Sequence, residues 1–306
     1  MNKIYDMIII GGGPAGLSAA VYAKRAKIDV VVIEKAPIVG GQVLSTYEVD
    51  NYLGLPGING FELGMKFKEH AEKLEVEFAE GDVLEVDFSG VEKCVRTSAG
   101  EYKAKTVILA TGAAHRKLGV PGEEELAGMG VSYCATCDGA FFKGMTTVVV
   151  GGGDVAVEDA IFLARICDKV YLVHRRDSFR ATKVLMDALG KYNNIELVLD
   201  SVVESIEGED QVECINVKNV KTGEARQLKA QGIFVAVGMI PNTDAYKSAL
   251  ELDEVGYVVA GEDCVTSVPG VYAAGDVRTK ELRQIITAVS DGACAVKMAE
   301  RYLEVL

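Results

Sequence analysis

The 306 residues carry a formal net charge of −13, and 49% of them are apolar. This length and apolar content are typical of two domains with a core each, and the acidic charge argues against nucleic-acid or anionic-membrane partners. The sequence contains no apolar run long enough for a membrane span and no signal-peptide pattern before its first strand, so we expect a cytoplasmic protein with no membrane partner.

The chain opens with a dinucleotide-binding pattern. The apolar segment Ile8–Ile10 leads into the loop Gly11–Gly16 and a predicted helix to about Lys27, and a second strand, Val30–Ile33, ends on Glu34. The three fingerprint glycines allow a tight turn, a close approach to a pyrophosphate and helix-on-strand packing, and the acid accepts hydrogen bonds from a ribose. The phosphates would lie at the helix N-terminus. This pattern predicts a nucleotide without a 2′-phosphate.

The pattern recurs after a shift of 140 residues. The glycine run Gly151–Gly153 then matches the first loop, and the position of Glu34 falls on His174. Arginines follow at Arg175, Arg176 and Arg180. An acid would repel a phosphorylated ribose, whereas arginines bind a 2′-phosphate through charge-assisted hydrogen bonds. The sequence therefore predicts a second nucleotide that carries a 2′-phosphate; the alternative is a solvated basic turn.

The rest of the chain sets the domain organisation. Each nucleotide pattern is followed by short alternating segments, residues 76–95 and 197–220, that predict a β-meander. A final strand ending on Asp276 and a helix over residues 284–303 match neither repeat, which indicates that the second domain is inserted into the first. We predict an α/β fold of two Rossmann-like dinucleotide-binding domains, each with a β-meander. The first comprises residues 1–114 and 243–306, the second residues 115–242, with hinges near residues 113–117 and 239–243.

Two of the seven cysteines, Cys134 and Cys137, form a CxxC motif just before the second nucleotide loop. The other five are scattered singly, unlike the cysteines of a secreted disulfide framework. A CxxC motif is either a redox pair or half of a zinc site, and the sequence has neither a second CxxC nor suitably spaced histidines to complete one. The motif therefore predicts a reducible disulfide and no metal. A redox pair between two nucleotide loops indicates an electron relay.

Together these motifs resemble the low-molecular-weight bacterial thioredoxin reductases nearly from end to end. The resemblance rests on Gly40-Gly41-Gln42, Ala110-Thr111-Gly112-Ala113, Cys134–Asp138, Gly151–Glu158, His174-Arg175-Arg176, Phe179-Arg180-Ala181, Gly275-Asp276 and Arg283-Gln284. It implies a homodimer that binds FAD in the first domain and NADPH in the second. It also implies a thioredoxin or a thioredoxin-like protein as the partner.

The resemblance assigns residues to both cofactors. The FAD set is Gly11, Gly13, Pro14, Ala15, Gly16, Glu34, Lys35, Gly40, Gly41, Gln42, Asn51, Ala110, Thr111, Gly112, Gly275, Asp276, Arg283, Gln284 and Ile285. The NADPH set is Gly151, Gly153, Asp154, Val155, His174, Arg175, Arg176 and Arg180. Glu34 would bind the adenosine ribose and Asp276 the ribityl chain and phosphate, while the helix beginning near Gln284 would stabilise negative charge on the flavin. Asn51 and Gln42 read equally well as ordinary loop residues.

The resemblance also implies a reaction sequence. A hydride passes from NADPH to FAD, electrons pass to the Cys134–Cys137 disulfide, and the dithiol reduces a protein disulfide by exchange. Cys137 would face the flavin, Cys134 would attack the substrate, and Asp138 would give and take the proton, unless it is only a turn or cap residue. Because the redox pair and the nicotinamide loop share one domain, that domain should rotate between half-reactions.

Two positions depart from the pattern of the family. Val155 replaces the usual serine or threonine, which should weaken NADPH binding, and Met129 stands where some relatives have a basic residue facing thioredoxin. Phe141 and Phe142 could form an apolar docking patch or belong to the core.

Three alternative functions are less consistent with the sequence. A flavoprotein of a peroxide-reducing system would have an extra N-terminal redox domain, a ferredoxin-fed relative would lack the arginine set, and a non-catalytic nucleotide sensor would not need the CxxC motif.

Overall fold

The computed structural model describes residues 3–46, 49 and 51–306. The chain divides into two compact units, unit 1 (Met1–Ala114 and Ile240–Leu306) and unit 2 (His115–Met239). The second boundary lies before the predicted one at residue 242. Asn242 accounts for the difference, because its side-chain Nδ2 donates to the Thr111 carbonyl oxygen at 2.8 Å and so ties this segment to unit 1.

Unit 1 is built on one seven-stranded sheet. Its strands are β1 (Ile4–Ile10), β2 (Val30–Glu34), β3 (Glu77–Glu80), β4 (Val83–Asp87), β5 (Lys93–Thr97), β6 (Gly100–Leu109) and β17 (Val271–Ala273). The order is β3-β2-β1-β6-β5-β4, with β17 beside β6. The strands β3, β2, β1, β6 and β17 run parallel, while β4 and β5 form an antiparallel meander with β6. The meander of unit 1 therefore continues the nucleotide-binding sheet.

The helices of unit 1 are α1 (Pro14–Arg25), α2 (Gly60–Lys73) and α6 (Ile285–Leu303), with a 3₁₀ helix over Gly41–Ser45. Pro14 suits the first helical position because its ring fixes φ and it has no N–H to leave unpaired. The helix ends at Arg25 rather than near Lys27, whose backbone turns to a φ of 59°. The parallel strands β1, β2 and β17 are mostly buried, as expected of a sheet covered by helices, whereas the edge strand β3 is partly exposed.

Unit 2 repeats this plan. Its strands are β8 (Val131–Ser132), β9 (Thr146–Gly151), β10 (Lys169–Val173), β11 (Ile195–Val198), β12 (Ser201–Glu207), β13 (Cys214–Asn219), β14 (Ala225–Lys229) and β15 (Gly232–Ala236). A parallel sheet has the order β11-β10-β9-β15-β8, and β12, β13 and β14 form a separate antiparallel meander. The helices are α3 (Ala135–Asp138), α4 (Asp154–Ala164) and α5 (Lys183–Leu189), with a 3₁₀ helix over Gly139–Phe142.

Two short strands, β7 (Ala113–His115) and β16 (Met239–Pro241), form a two-stranded sheet of their own. The predicted fold class is confirmed: the chain has two Rossmann-like α/β domains, each with a β-meander, and the second is inserted into the first. Among the described residues, no helix combines the length and the apolar character that crossing a membrane requires.

Candidate active site

The first glycine loop joins the carboxyl end of β1 to α1. Gly11 has a φ of +108°, and a Cβ there would overlap the Ala110 carbonyl, so only glycine fits. A Cβ at Gly16 would overlap the carbonyl oxygen of Gly11, which explains the third fingerprint glycine. The Gly12 N–H donates to Glu34 Oε2 at 2.6 Å, so the predicted ribose-binding acid lies directly against the loop.

Residues of the predicted FAD set that are far apart in sequence meet around this loop. An added Cβ at Gly41 would lie 3.0 Å from Gly13 Cα, and one at Gly275 would lie 2.9 Å from Ala15 Cβ. Other contacts join the Asn51 amide to Gln284 Oε1 at 2.8 Å and the Gln42 amide to the Ala113 carbonyl oxygen. Six further members are Pro14, Gly40, Thr111, Gly112 and Ile285, in the same loops and helix starts, and Lys35, exposed one residue beyond Glu34.

Two buried polar atoms at this end of unit 1 have no partner within the described residues. They are Oδ1 of Asp276 and Nε of Arg283, whose guanidinium lies 4.0 Å over the Tyr257 ring. Burial raises the pKa of Asp276 because it disfavours the charged carboxylate. Orphaned acceptors and donors beside a glycine cradle fit a polar, phosphate-bearing ligand that supplies the missing hydrogen bonds. The residues of unit 1 thus fit a bound dinucleotide.

A buried charge network supports the segment that carries Asp276. Asp291 on α6 accepts from the Gly275 N–H at 2.9 Å, from two nitrogens of Arg278 at 2.9 Å each, and from Lys280 Nζ at 2.8 Å. The side chains of Arg278, Lys280 and Asp291 are only 1%, 5% and 7% exposed. Burial alone would raise the pKa of Asp291, but these donors hold it below its ordinary value.

Asp291→Asn should destabilise the protein by about 3–5 kcal/mol, because it removes the buried counter-ion of Arg278 and Lys280. Chemical unfolding followed by circular dichroism measures this loss. The matched control is Glu262→Gln. The Glu262 side chain belongs to the same network but is 91% exposed, and its Oε1 lies 3.2 Å from Nη2 of Arg278. An exposed partner contributes little, so the control should stay within about 1 kcal/mol of the wild type. Equal losses in both variants would contradict the account of this network.

The second glycine loop, in unit 2, has different side chains around it. An added Cβ at Gly152 would fall on the imidazole of His174, which stacks on Phe179 with ring centroids 5.1 Å apart. The Arg180 N–H donates to the Gly152 carbonyl oxygen at 2.8 Å, which brings the arginine segment back to the loop. Asp154 Oδ1 accepts from the Thr182 N–H at 2.7 Å. Gly151 ends β9, and Gly153 lies beside it as the N-cap of α4.

Arg175, Arg176 and Arg180 are all exposed around His174. Burial lowers the pKa of His174, a hydrogen bond with the Ser178 backbone opposes this, and the positive charges of the three arginines lower the pKa further. None of the three forms an ion pair in the part of the chain that the structure describes. Val155 is 62% exposed in the first turn of α4, so its side chain offers no hydrogen-bonding group at this loop. Three unpaired cations beside a glycine loop favour a phosphate ligand.

The CxxC motif of unit 2 forms a disulfide between Cys134 and Cys137. Cys134 caps the short helix α3, and Asp138 is the last residue of that helix. Burial raises the pKa of Asp138, while a hydrogen bond from Ser132 opposes the rise. Oδ1 of Asp138 is buried and has no partner among the described residues. A withdrawn carboxyl with a raised pKa is suited to carry a proton beside a sulfur pair.

The two phenylalanines after the redox pair differ in their surroundings. Phe142 packs edge-on against Phe234 with ring centroids 5.2 Å apart, so it is partly buried against the core of unit 2. Phe141 is 37% exposed and Met129 is 45% exposed. Of the predicted docking patch, only Phe141 is at the surface.

Comparison with known proteins identifies the family. The pyridine nucleotide-disulphide oxidoreductase family matches residues 5–292. The chain belongs to this family. Thioredoxin reductases from Listeria innocua and Bacillus subtilis are 48% and 45% identical, and each alignment covers 100% of this chain and 96% of the relative. A crystal structure of thioredoxin reductase from Streptococcus pyogenes is 47% identical, covers 100% of both chains and gives a TM-score of 0.94.

As a member of this family, the protein is an oxidoreductase that uses a pyridine nucleotide and a flavin to act on a disulfide.

Sequence reasoning missed three residues that support its sites: Ser132, Asn242 and Asp291. Only Asp291 gave a signal, because it interrupts the apolar stripe of α6 formed by Ala288, Ala295 and Ala299. A charged residue on a buried helix face indicates a paired charge.

Proposed function

We propose that this chain is an NADPH-dependent thioredoxin-disulfide reductase that carries FAD. The observation that carries the proposal is the Cys134–Cys137 disulfide with the buried Asp138 carboxyl on the same helical turn. Relatives that align over the full length of this chain bear the name thioredoxin reductase, which supports the same substrate class. The protein partner is then a thioredoxin or a thioredoxin-like protein.

The two glycine loops would hold the two cofactors. In unit 1, the Gly11–Gly16 loop would bind the FAD pyrophosphate, Glu34 the adenosine ribose, and Asp276 with Arg283 the part of FAD nearer the flavin. In unit 2, the Gly151–Gly153 loop would bind NADPH, with the arginine set on its 2′-phosphate. When bound, the two groups supply a hydride and a two-electron carrier that can reduce a disulfide.

The cysteines and Asp138 perform the exchange chemistry. Electrons break the Cys134–Cys137 bond, and Cys134 then attacks a sulfur of the partner disulfide as a thiolate. Cys137 attacks Cys134 in turn, which releases the reduced partner and restores the disulfide. Asp138 gives its proton to a leaving sulfur and recovers one when the disulfide closes again. Cys137 lies on the flavin side in this proposal.

The distribution of sites between the units suggests a rotation. Both the redox pair and the arginine loop belong to unit 2, whereas the proposed flavin residues belong to unit 1. We propose that unit 2 turns between half-reactions about the segments near residues 113–117 and 239–243, so that each group reaches the flavin in turn. We also propose that the protein is a cytoplasmic homodimer.

A reduction assay tests the proposed function. Purified holoprotein is mixed with candidate thioredoxin-like disulfide proteins, and nucleotide oxidation is followed with NADPH and with NADH. We expect turnover that requires the protein disulfide and that prefers NADPH. Under anaerobic conditions, continued nucleotide turnover without any disulfide protein, or equal use of NADH, would contradict the proposal.

A further inference from the structure

Ser132 lies at the carboxyl end of β8, two residues before the redox pair, and its side chain is buried. Its Oγ accepts a hydrogen bond from the Cys134 N–H at 3.1 Å. It also contacts Asp138 Oδ2 at 2.6 Å. One hydroxyl therefore contacts both the backbone of the proposed nucleophile and the side chain of the proposed proton carrier.

The direction of this second hydrogen bond determines where Asp138 can hold a proton. A hydroxyl has a single hydrogen, and Asp138 Oδ2 at 2.6 Å is a much better acceptor for it than the Cys134 carbonyl oxygen at 3.4 Å. Oδ2 is then occupied as an acceptor. The other oxygen, Oδ1, is buried and has no partner in the described parts of the chain. The proton of the neutral acid is therefore directed to Oδ1.

We propose that Ser132 is a positioning residue for the disulfide exchange, and that its hydroxyl orients Asp138 so that Oδ1 carries the transferable proton while it also anchors the backbone of Cys134. This inference rests on the proposed disulfide reductase function. It adds a buried hydroxyl that acts through Asp138.

The step balances within the proposed reaction. Two electrons supplied by that reaction break the bond between Cys134 and Cys137, and each sulfur leaves as a thiolate. One thiolate takes the proton from Asp138 Oδ1, and the resulting carboxylate is stabilised by the Ser132 hydroxyl on Oδ2. When the dithiol later passes its two electrons to a partner disulfide, the carboxylate takes a proton back as the enzyme disulfide forms.

The pH dependence of this step has a definite sign. Burial raises the pKa of Asp138 and the Ser132 hydrogen bond opposes the rise, so removing the hydroxyl should raise the pKa further. Donation needs the protonated acid, which is present below the pKa, so the alkaline loss of activity should move to higher pH. Helix α4, which packs against α3, carries the carboxyls of Asp154, Glu158 and Asp159, and burial raises the pKa of Asp159 to about 7. The Tyr133 hydroxyl, next to Cys134 in the chain, donates to Glu123. They are the same in the wild type and the variants.

The test compares Ser132→Ala and Ser132→Thr with the wild-type holoprotein. Single-turnover reduction of a thioredoxin-like disulfide is measured across pH, and the protonation of Asp138 is followed by isotope-edited infrared spectroscopy. Ser132→Ala should be about tenfold slower at its optimum, a fraction of the full general-acid contribution. Its alkaline limb and its Asp138 titration should both move to higher pH. Ser132→Thr keeps a hydroxyl, so its alkaline limb and its Asp138 titration should match those of the wild type.

Two further variants separate positioning from folding. Ser201→Ala removes another buried serine hydroxyl of unit 2, which donates to the Leu199 carbonyl oxygen at 2.8 Å. This variant should change neither the pH profile of the reaction nor the titration of Asp138. In an Asp138→Asn background the alkaline limb should vanish, and adding Ser132→Ala should shift nothing more. An Asp138 titration and pH profile unchanged in Ser132→Ala would overturn the inference. A wild-type protein that reduces no disulfide would instead overturn the proposed function, while the infrared titration would still decide the role of Ser132.

Discussion

Cys134→Ser is expected to abolish reduction of disulfide proteins while NADPH still bleaches the flavin colour. Serine cannot form the reducible bond to Cys137, and its hydroxyl does not ionise near neutral pH, so the attacking thiolate is lost. The loss of turnover should be about 10³-fold or more, as for removal of other essential nucleophiles. Steady-state disulfide reduction and anaerobic flavin absorbance measure the two effects separately.

Two companion variants assign the roles of the sulfurs. Cys137→Ser keeps the attacking sulfur but not the resolving one, so a mixed disulfide between Cys134 and the partner should accumulate and be visible by mass spectrometry. Cys214→Ser changes a partly buried free cysteine of unit 2 and should leave turnover unaltered. A Cys134→Ser protein that still reduces disulfide proteins would refute the assignment.

Replacing the arginines of the second glycine loop should change the choice of nucleotide. Arg175→Ala and Arg176→Ala should each raise the KM for NADPH by about 10- to 100-fold, because a hydrogen bond to a charged group contributes about 1.5–3 kcal/mol. The KM for NADH should hardly change, since NADH has no 2′-phosphate for these side chains to bind. Initial rates with the two nucleotides, at fixed ionic strength, provide the measurement.

The matched control is Arg226→Ala. Arg226 is a partly exposed arginine of unit 2 that pairs with Glu196 at 2.7 Å instead of lining the glycine loop. It should leave both nucleotide constants near the wild-type values. If Arg175→Ala raised the KM for NADPH and the KM for NADH equally, the arginines would not bind the 2′-phosphate. The prediction that the second nucleotide carries a 2′-phosphate would then be wrong.

The features that could be predicted from sequence are those that local chemistry dictates. Gly11 needs a positive φ and Pro14 can only begin a helix, so the first loop is encoded within six residues. Because the glycine motif recurs 140 residues later, the same strand, loop and helix are expected in unit 2, where α4 begins at Asp154 as α1 begins at Pro14. The two-domain α/β fold followed from that repetition.

Features that depend on contacts between distant segments could not be predicted. The bonds from Gly275, Arg278 and Lys280 to Asp291 join a loop to a helix that begins later, and no local pattern specifies them. The orientation of Ser132 toward Asp138 depends on how α3 folds back after β8. The split between Phe141 and Phe142 likewise depends on Phe234, which occupies the core of unit 2.

The most direct test of the central claim is an anaerobic spectral titration of the native protein. The claim is that Cys134 and Cys137 alternate between a disulfide and a dithiol by taking electrons from a bound flavin. The account predicts a yellow protein that NADPH bleaches and that an oxidised thioredoxin-like protein recolours, with two electrons passed for each disulfide. A colourless protein, or zinc held by the sulfurs of Cys134 and Cys137, would contradict it.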